Sequence, residues 1–161
     1  MDSIQIKVRK CLPEDAPIVA DFNARMALET ENKKLAVDLV TRGAKNFINR
    51  PNLGTYYMAE VHQADGSVIN AGCTMITYEM NPRYGGIVYM IQSVFVIPEF
   101  RGKKVFRTIY TTVVDQAKAD PKVKGVRLYV EKENTTAMAV YEKLGMSKFD
   151  HCDFDEKDFI L

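Results

Sequence analysis

The stretch Val94-Phe95-Val96-Ile97-Pro98-Glu99-Phe100-Arg101-Gly102-Lys103-Lys104-Val105-Phe106-Arg107 decides how this chain is read. Residues 87–97 are rich in β-branched and aromatic side chains and read as a buried strand. The strand runs through a short loop straight into a helix predicted over 102–119, which Asp120-Pro121 ends. Arg101, Lys103, Lys104 and Arg107 lie in or beside the first helical turns. Free backbone N–H groups and positive side chains together make a local anion site there. A solvated basic helix start is the competing reading of the same residues.

Outward from this stretch the apolar period changes repeatedly. Downstream, residues 126–130 read as a strand and residues 134–144 as a helix, with Asn134 as its cap and Gly145 as its stop. Upstream, Ile4, Ile6 and Val8 alternate with polar residues as in a strand. Pro13-Glu14-Asp15 then opens a helix with Val19, Phe22 and Met26 on one face. A second helix over 35–49 has Val37, Val40, Ala44, Phe47 and Ile48 as its buried stripe. Strands over 55–61 and 68–78 are joined by Ala64-Asp65-Gly66-Ser67, a hairpin turn signal. Residues 79–86 read as a loop, and residues 147–161 are expected to hold one or two strands. The order β, α, α, β, β, β, α, β, α, β describes a mixed α/β (α+β) chain. Its first half is antiparallel and its second half holds a strand–helix–strand unit.

Composition excludes several classes. The 161 residues suit one domain, and 47% hydrophobic with 27% charged residues is ordinary globular usage. Lys plus Arg is 22 against 21 Asp plus Glu, a formal charge of +1. A near-neutral chain lacks the field of a general nucleic-acid or membrane binder, so anion binding must be local. No stretch approaches the length of a membrane span, and charges interrupt the amino terminus where a signal peptide is apolar. Cys11, Cys73 and Cys152 are odd in number and far apart, as in a reduced cytoplasmic chain. His62 and His151 fall in no metal-ligand spacing, so no metal is expected.

A second stretch carries the chemistry further: Leu128-Tyr129-Val130-Glu131-Lys132-Glu133-Asn134-Thr135-Thr136-Ala137-Met138-Ala139-Val140-Tyr141-Glu142-Lys143-Leu144-Gly145-Met146. Tyr141 lies two turns after Asn134, near the same helix face. Alone, Asn134 reads as a cap and Tyr141 as a core aromatic. Taken together, the two stretches resemble the GNAT superfamily of N-acetyltransferases. Val96-Ile97-Pro98 matches that family's strand end, and Arg101 is the first residue of its cofactor motif. The strand, Asn, helix, Tyr and Leu-Gly-Met run matches in spacing. The chain departs from the family at Lys104 and Phe106, where the phosphate loop usually has small residues.

The resemblance implies a single acyl-CoA N-acyltransferase domain over 1–161, with a central mixed sheet of six to seven strands and about four helices. It implies acetyl-CoA as co-substrate. Val94, Phe95 and Val96 would supply main-chain contacts to the acyl and pantetheine end. Arg101, Gly102, Lys103, Lys104, Val105, Phe106 and Arg107 would hold the pyrophosphate, and Asn134 the cofactor arm. Tyr141 would protonate the departing thiolate. Glu29, Glu31 and Gln92 are the candidate acceptor contacts, the acids drawing a cationic amine by Coulomb attraction. Glu60, Tyr78, Glu79, Gln92, Ser93 or a water chain stand open as the base. The expected acceptor is a small primary amine or amino-acid-like molecule. A protein amino terminus or lysine, and a non-catalytic coenzyme A-binding module, are the alternatives. A homodimer is expected from exposed strands after Gly145.

Overall fold

The computed structural model describes residues 4–149. Alternation places Ile6 and Val8 on one side of the first strand, β1 (Gln5–Lys10), where they pack on the core. A 3-10 turn at Pro13–Asp15 leads into α1 (Ala16–Glu31), which is followed by α2 (Val37–Ile48). Next come β2 (Gly54–His62), β3 (Val68–Asn81) and β4 (Gly86–Val96). After them α3 (Val105–Ala119), β5 (Val123–Leu128) and α4 (Thr135–Lys143) complete the described elements. The sheet order is β1-β2-β3-β4-β5, antiparallel except for the parallel β4–β5 pair.

Both faces of the sheet are covered, so its central strands are apolar on both sides. On one face, Tyr56, Met58, Cys73 and Phe95 meet Val19, Phe22 and Ala44 of α1 and α2. On the other, Ala59, Val61 and Ala71 meet Val105 and Ile109 of α3, and Tyr57, Ile76 and Ile91 meet Val113. The chain falls into two compact units, one ending at Tyr129 and the other starting at Val130. The first carries the sheet and α1–α3; the second carries α4.

The mixed α/β architecture and its element order agree with the sequence reading. The sheet has five strands among the described residues, fewer than the six to seven expected. The strands expected at the carboxyl end fall mostly on residues 150–161, outside the described residues; 147–149 form no regular element. The expected loop over 79–86 shrinks to a turn, because Met80 pairs with Ile87 and Asn81 with Gly86. Val37, expected in the buried stripe, is 62% exposed at the first turn of α2. The helix expected from Gly102 starts at Val105, because Gly102 and Lys104 are left-handed and cannot continue a right-handed helix. The strand expected over 126–130 occupies Val123–Leu128, held there by parallel pairing from Ile87↔Val123 to Ile91↔Leu128.

One ion-pair network ties the first turn of the chain to the sheet. The Arg9 guanidinium donates to both carboxylate oxygens of buried Asp15, at 2.7 and 2.9 Å, and to Glu60 at 2.6 Å. The Leu12 N–H also donates to Asp15, at 2.7 Å. Arg9 holds the Asp15 carboxyl below its ordinary range. A carboxyl lowered on folding stabilises above its unfolded pKa, and that contribution is lost as pH falls through its folded value. Asp15→Ala is expected to cost about 2 kcal/mol near neutral pH, less than a fully buried pair because Arg9 is partly solvated. Denaturation of both proteins across pH checks this: the gap should shrink steadily once pH falls below the ordinary carboxylate range.

Candidate active site

The end of β4 has an unusual edge. The ladder to β3 runs the whole strand, from Asn81↔Gly86 to Gly72↔Val96. The ladder to β5 stops at Ile91↔Leu128. Residues 92–96 therefore present a strand edge with no ladder partner on the β5 side among the described residues. The parting begins at a bulge, where Met75 faces Ser93 and Ile76 faces Ile91, leaving Gln92 without a partner. Two side-chain bonds fix this irregular point. The hydroxyl of buried Thr74 donates to the Ser93 carbonyl at 2.7 Å, and Gln92 Nε2 donates to Thr77 Oγ1 at 2.8 Å. Phe95 anchors the strand end, its ring 5.3 Å from that of Phe22. An unpaired edge of this kind is a template for one more extended chain with amide groups.

The chain then turns through Pro98–Phe100 into the basic loop. Gly102 has φ +74° and Lys104 φ +68°, so two left-handed residues flank Lys103. Left-handed residues in a turn swing successive N–H groups inward, and the first turn of α3 adds N–H groups with no acceptor inside the helix. This main-chain cradle suits a phosphate. Lys104 adopts the conformation a glycine takes without cost, which explains how the loop keeps its shape despite the departure there. Phe106 lies along α3, its ring 6.1 Å from Tyr110. Lys104→Gly is expected to raise stability by about 0.5–1 kcal/mol, since the left-handed cost of about 1–2 kcal/mol is partly offset by backbone entropy. Chemical denaturation measures it.

The four cations of this loop are not equivalent. Arg101 folds back: Nε donates to the Val96 carbonyl at 2.9 Å and Nη2 to Glu29 at 2.6 Å. Lys103 lies over the Phe100 ring at 5.1 Å. Lys104 and Arg107 are exposed. The structure thus brings Glu29, expected on the acceptor side, onto Arg101, expected on the cofactor side. Glu31 is 3.5 Å from Lys33. Of the candidate bases, Glu60 is engaged by Arg9 two strands away from β4, Tyr78 shares a hydrogen bond with Thr55 at 2.8 Å, and Glu79 lies 3.9 Å from Arg127.

Three contributors escaped the sequence reading. Thr74 props the bulge, and Gly72 lets β3 approach the end of β4: a Cβ there would lie 2.5 Å from the Phe95 carbonyl oxygen. Arg25 of α1 sets its guanidinium 5.2 Å from the centroid of the Phe95 ring. Only its spacing of four from Asp21 and Glu29 was a signal.

In the second unit, Asn134 caps α4 by accepting the Ala137 N–H at 3.1 Å. Leu144-Gly145-Met146 closes the helix with Gly145 at φ +91°. The Gly145 N–H donates to Glu142 at 2.9 Å and the Met146 N–H to the Tyr141 carbonyl at 3.0 Å. The Tyr141 carbonyl is thereby held by the turn that ends the helix. Its side chain is half-buried, and burial pushes the phenol above its ordinary value.

The model of the GNAT acetyltransferase family matches residues 24–146. A possible acetyltransferase from Clostridium difficile 630 is 34% identical, with a TM-score of 0.84 over 94% of this chain and 97% of that one. Aminoglycoside N-acetyltransferase AAC(6')-Iy, solved with CoA, shares the fold at 17% identity and TM-score 0.72, covering 96% of each chain. Ribosomal-protein-alanine N-acetyltransferase from Brucella melitensis biovar Abortus 2308 shares it at 14% identity and TM-score 0.70, over 95% of this chain and 99% of that one. No curated protein matches. The chain belongs to the GNAT acetyltransferase family and is an acyltransferase. The family draws its acetyl group from acetyl-CoA. No group of metal-ligating side chains occurs among the described residues, and no helix among them is long and apolar enough to cross a membrane.

Proposed function

We propose that the protein is a cytoplasmic N-acetyltransferase that moves an acetyl group from acetyl-CoA to the primary amine of a small molecule. The observation that carries this reading is the edge of β4 at residues 92–96, which has no ladder partner on the β5 side among the described residues and is followed at once by the left-handed loop. The edge offers main-chain groups to the two amides of a pantetheine arm. The cradle at 102–107 offers N–H groups to a pyrophosphate, with Lys104 and Arg107 adding charge. The residues present therefore fit coenzyme A, which supplies the acyl thioester when bound.

The chain's own groups have separate tasks on this reading. The β4 edge orients the acyl carbon beside the amine, turning a two-body encounter into a fixed geometry. A main-chain N–H at Phe95 or Val96 stabilises the carbonyl oxygen as it gains charge. Asn134 holds the arm. Tyr141 gives its phenolic proton to the departing thiolate, whose ordinary pKa is about 8.5. The acetyl group passes directly to the amine, the N–C bond forming as the C–S bond breaks, and the proton lost from nitrogen leaves to water. Cys11 and Cys73 are buried, and burial pushes the Cys11 thiol up to about 12, so it stays protonated and a poor nucleophile near neutral pH.

Thiol release from acetyl-CoA over a panel of small amines, a peptide amino terminus and a lysine peptide tests this reading. Turnover of small amines above both peptides is expected. Turnover of a peptide alone would move the acceptor to protein, and cofactor binding with no turnover on any amine would favour a coenzyme A-binding module.

A further inference from the structure

Asp21, Arg25 and Glu29 recur every four residues and share one face of α1. The stripe leads to the end of β4. Glu29 is already taken by Arg101 at 2.6 Å, whereas Arg25 reaches Asp21 only at 3.7 Å. The Arg25 guanidinium donates no hydrogen bond among the described residues, and its side chain is 39% exposed. Two guanidinium groups, Arg25 at 5.2 Å and Arg101 at 5.7 Å, lie over the single ring of Phe95. Of the carboxylates expected to attract a cationic amine, Glu29 is engaged by Arg101 at 2.6 Å, and exposed Glu31 lies 3.5 Å from Lys33. Over the Phe95 ring, the group that keeps open hydrogen-bond donors is the Arg25 guanidinium. An arginine fork with open donors, backed by an aromatic face, is built for a carboxylate.

We propose that Arg25 is the acceptor anchor, and that the acceptor is an amine carrying a carboxylate close to its amino group. This rests on the N-acetyltransferase reading above. Arg25 adjoins Phe95, at whose main chain that reading sets the acyl end, so a short molecule spans the two. A polycationic acceptor would meet repulsion from Arg25 and Arg101 and find Glu29 already engaged.

Acetylation of α-amino acids and of their methyl esters, compared per unprotonated amine because the ester's amine is the weaker base, tests the proposal: the ester loses the carboxylate charge. The wild type is expected to favour the best acid over its ester by about tenfold or more, the worth of one charge-assisted bond. Arg25→Gln should bring that ratio close to one through the acceptor KM, with Arg25→Lys recovering part of it. Esters used as well as acids, or a loss falling on the acetyl-CoA KM instead, would overturn it. A thermal shift by the free amino acids in the presence of coenzyme A separates the two claims. A shift lost in Arg25→Gln without any turnover contradicts the transferase reading but upholds the anchor. Turnover of amines without any such shift or acid preference contradicts the anchor alone.

Discussion

Replacing Tyr141 by Phe is expected to lower kcat for acetyl transfer by about 100-fold or more, the usual worth of a positioned general acid. The substitution keeps the ring and removes one hydroxyl, so packing at α4 is preserved. Burial raises the Tyr141 phenol above its ordinary value. A raised phenol stays protonated through the neutral range, the state an acid must start from. The wild-type rate should therefore hold on the alkaline side until pH passes the ordinary tyrosine value of about 10. In Tyr141→Phe the remaining rate should lack that limb. The KM for acetyl-CoA should move little, because the lost group acts on the transition state rather than on ground-state binding. Rate–pH profiles of both proteins on one amine measure all three. An unchanged rate across pH would remove Tyr141 from the chemistry.

Gly72→Ala is expected to be the most damaging small substitution near the site. The new Cβ would lie 2.5 Å from the Phe95 carbonyl oxygen and 3.3 Å from the Val96 Cα, both backbone atoms. Backbone cannot swing aside as a side chain does, so β3 and the end of β4 must separate. A cost of about 3 kcal/mol is expected, at the upper end for overpacking. The displaced segment is the edge proposed to hold the pantetheine arm, so acetyl-CoA affinity should fall by about tenfold or more even in the folded protein. Gly43 in α2 is the control: nothing lies within 4 Å of a Cβ there. Gly43→Ala should leave cofactor binding alone and stabilise by about 1 kcal/mol through helix propensity. Denaturation and coenzyme A titration of the two variants give both numbers.

Local signals were read well because local physics decides them. Asn134 caps α4, and Gly145 stops it with a left-handed turn that few other residues tolerate. Asp65-Gly66 turns the β2–β3 hairpin for a similar reason, with Gly66 at φ +84°. The strand–helix–strand unit of β4, α3 and β5 followed from changes of period. What stayed hidden depends on partners far along the chain. The start of β5 is set by register against Ile87, not by its own composition. The delayed start of α3 follows from the handedness of Lys104, a conformation its residue type does not advertise. The pairing of Glu29 with Arg101 spans 72 positions, so two residues assigned to opposite sides of the site turn out to hold each other. Arg25 carries no signal of its own, because an arginine on a helix with acids four residues away reads as an ordinary solvated face.

Coenzyme A use of the β4 edge at residues 92–96 underlies every step proposed above. A crystal structure of the complex with acetyl-CoA tests that most directly. The arm is expected to lie extended along residues 92–96, on the side away from β3, with the pyrophosphate over residues 102–107. Acetyl-CoA seated elsewhere, or no binding in the millimolar range, would contradict it.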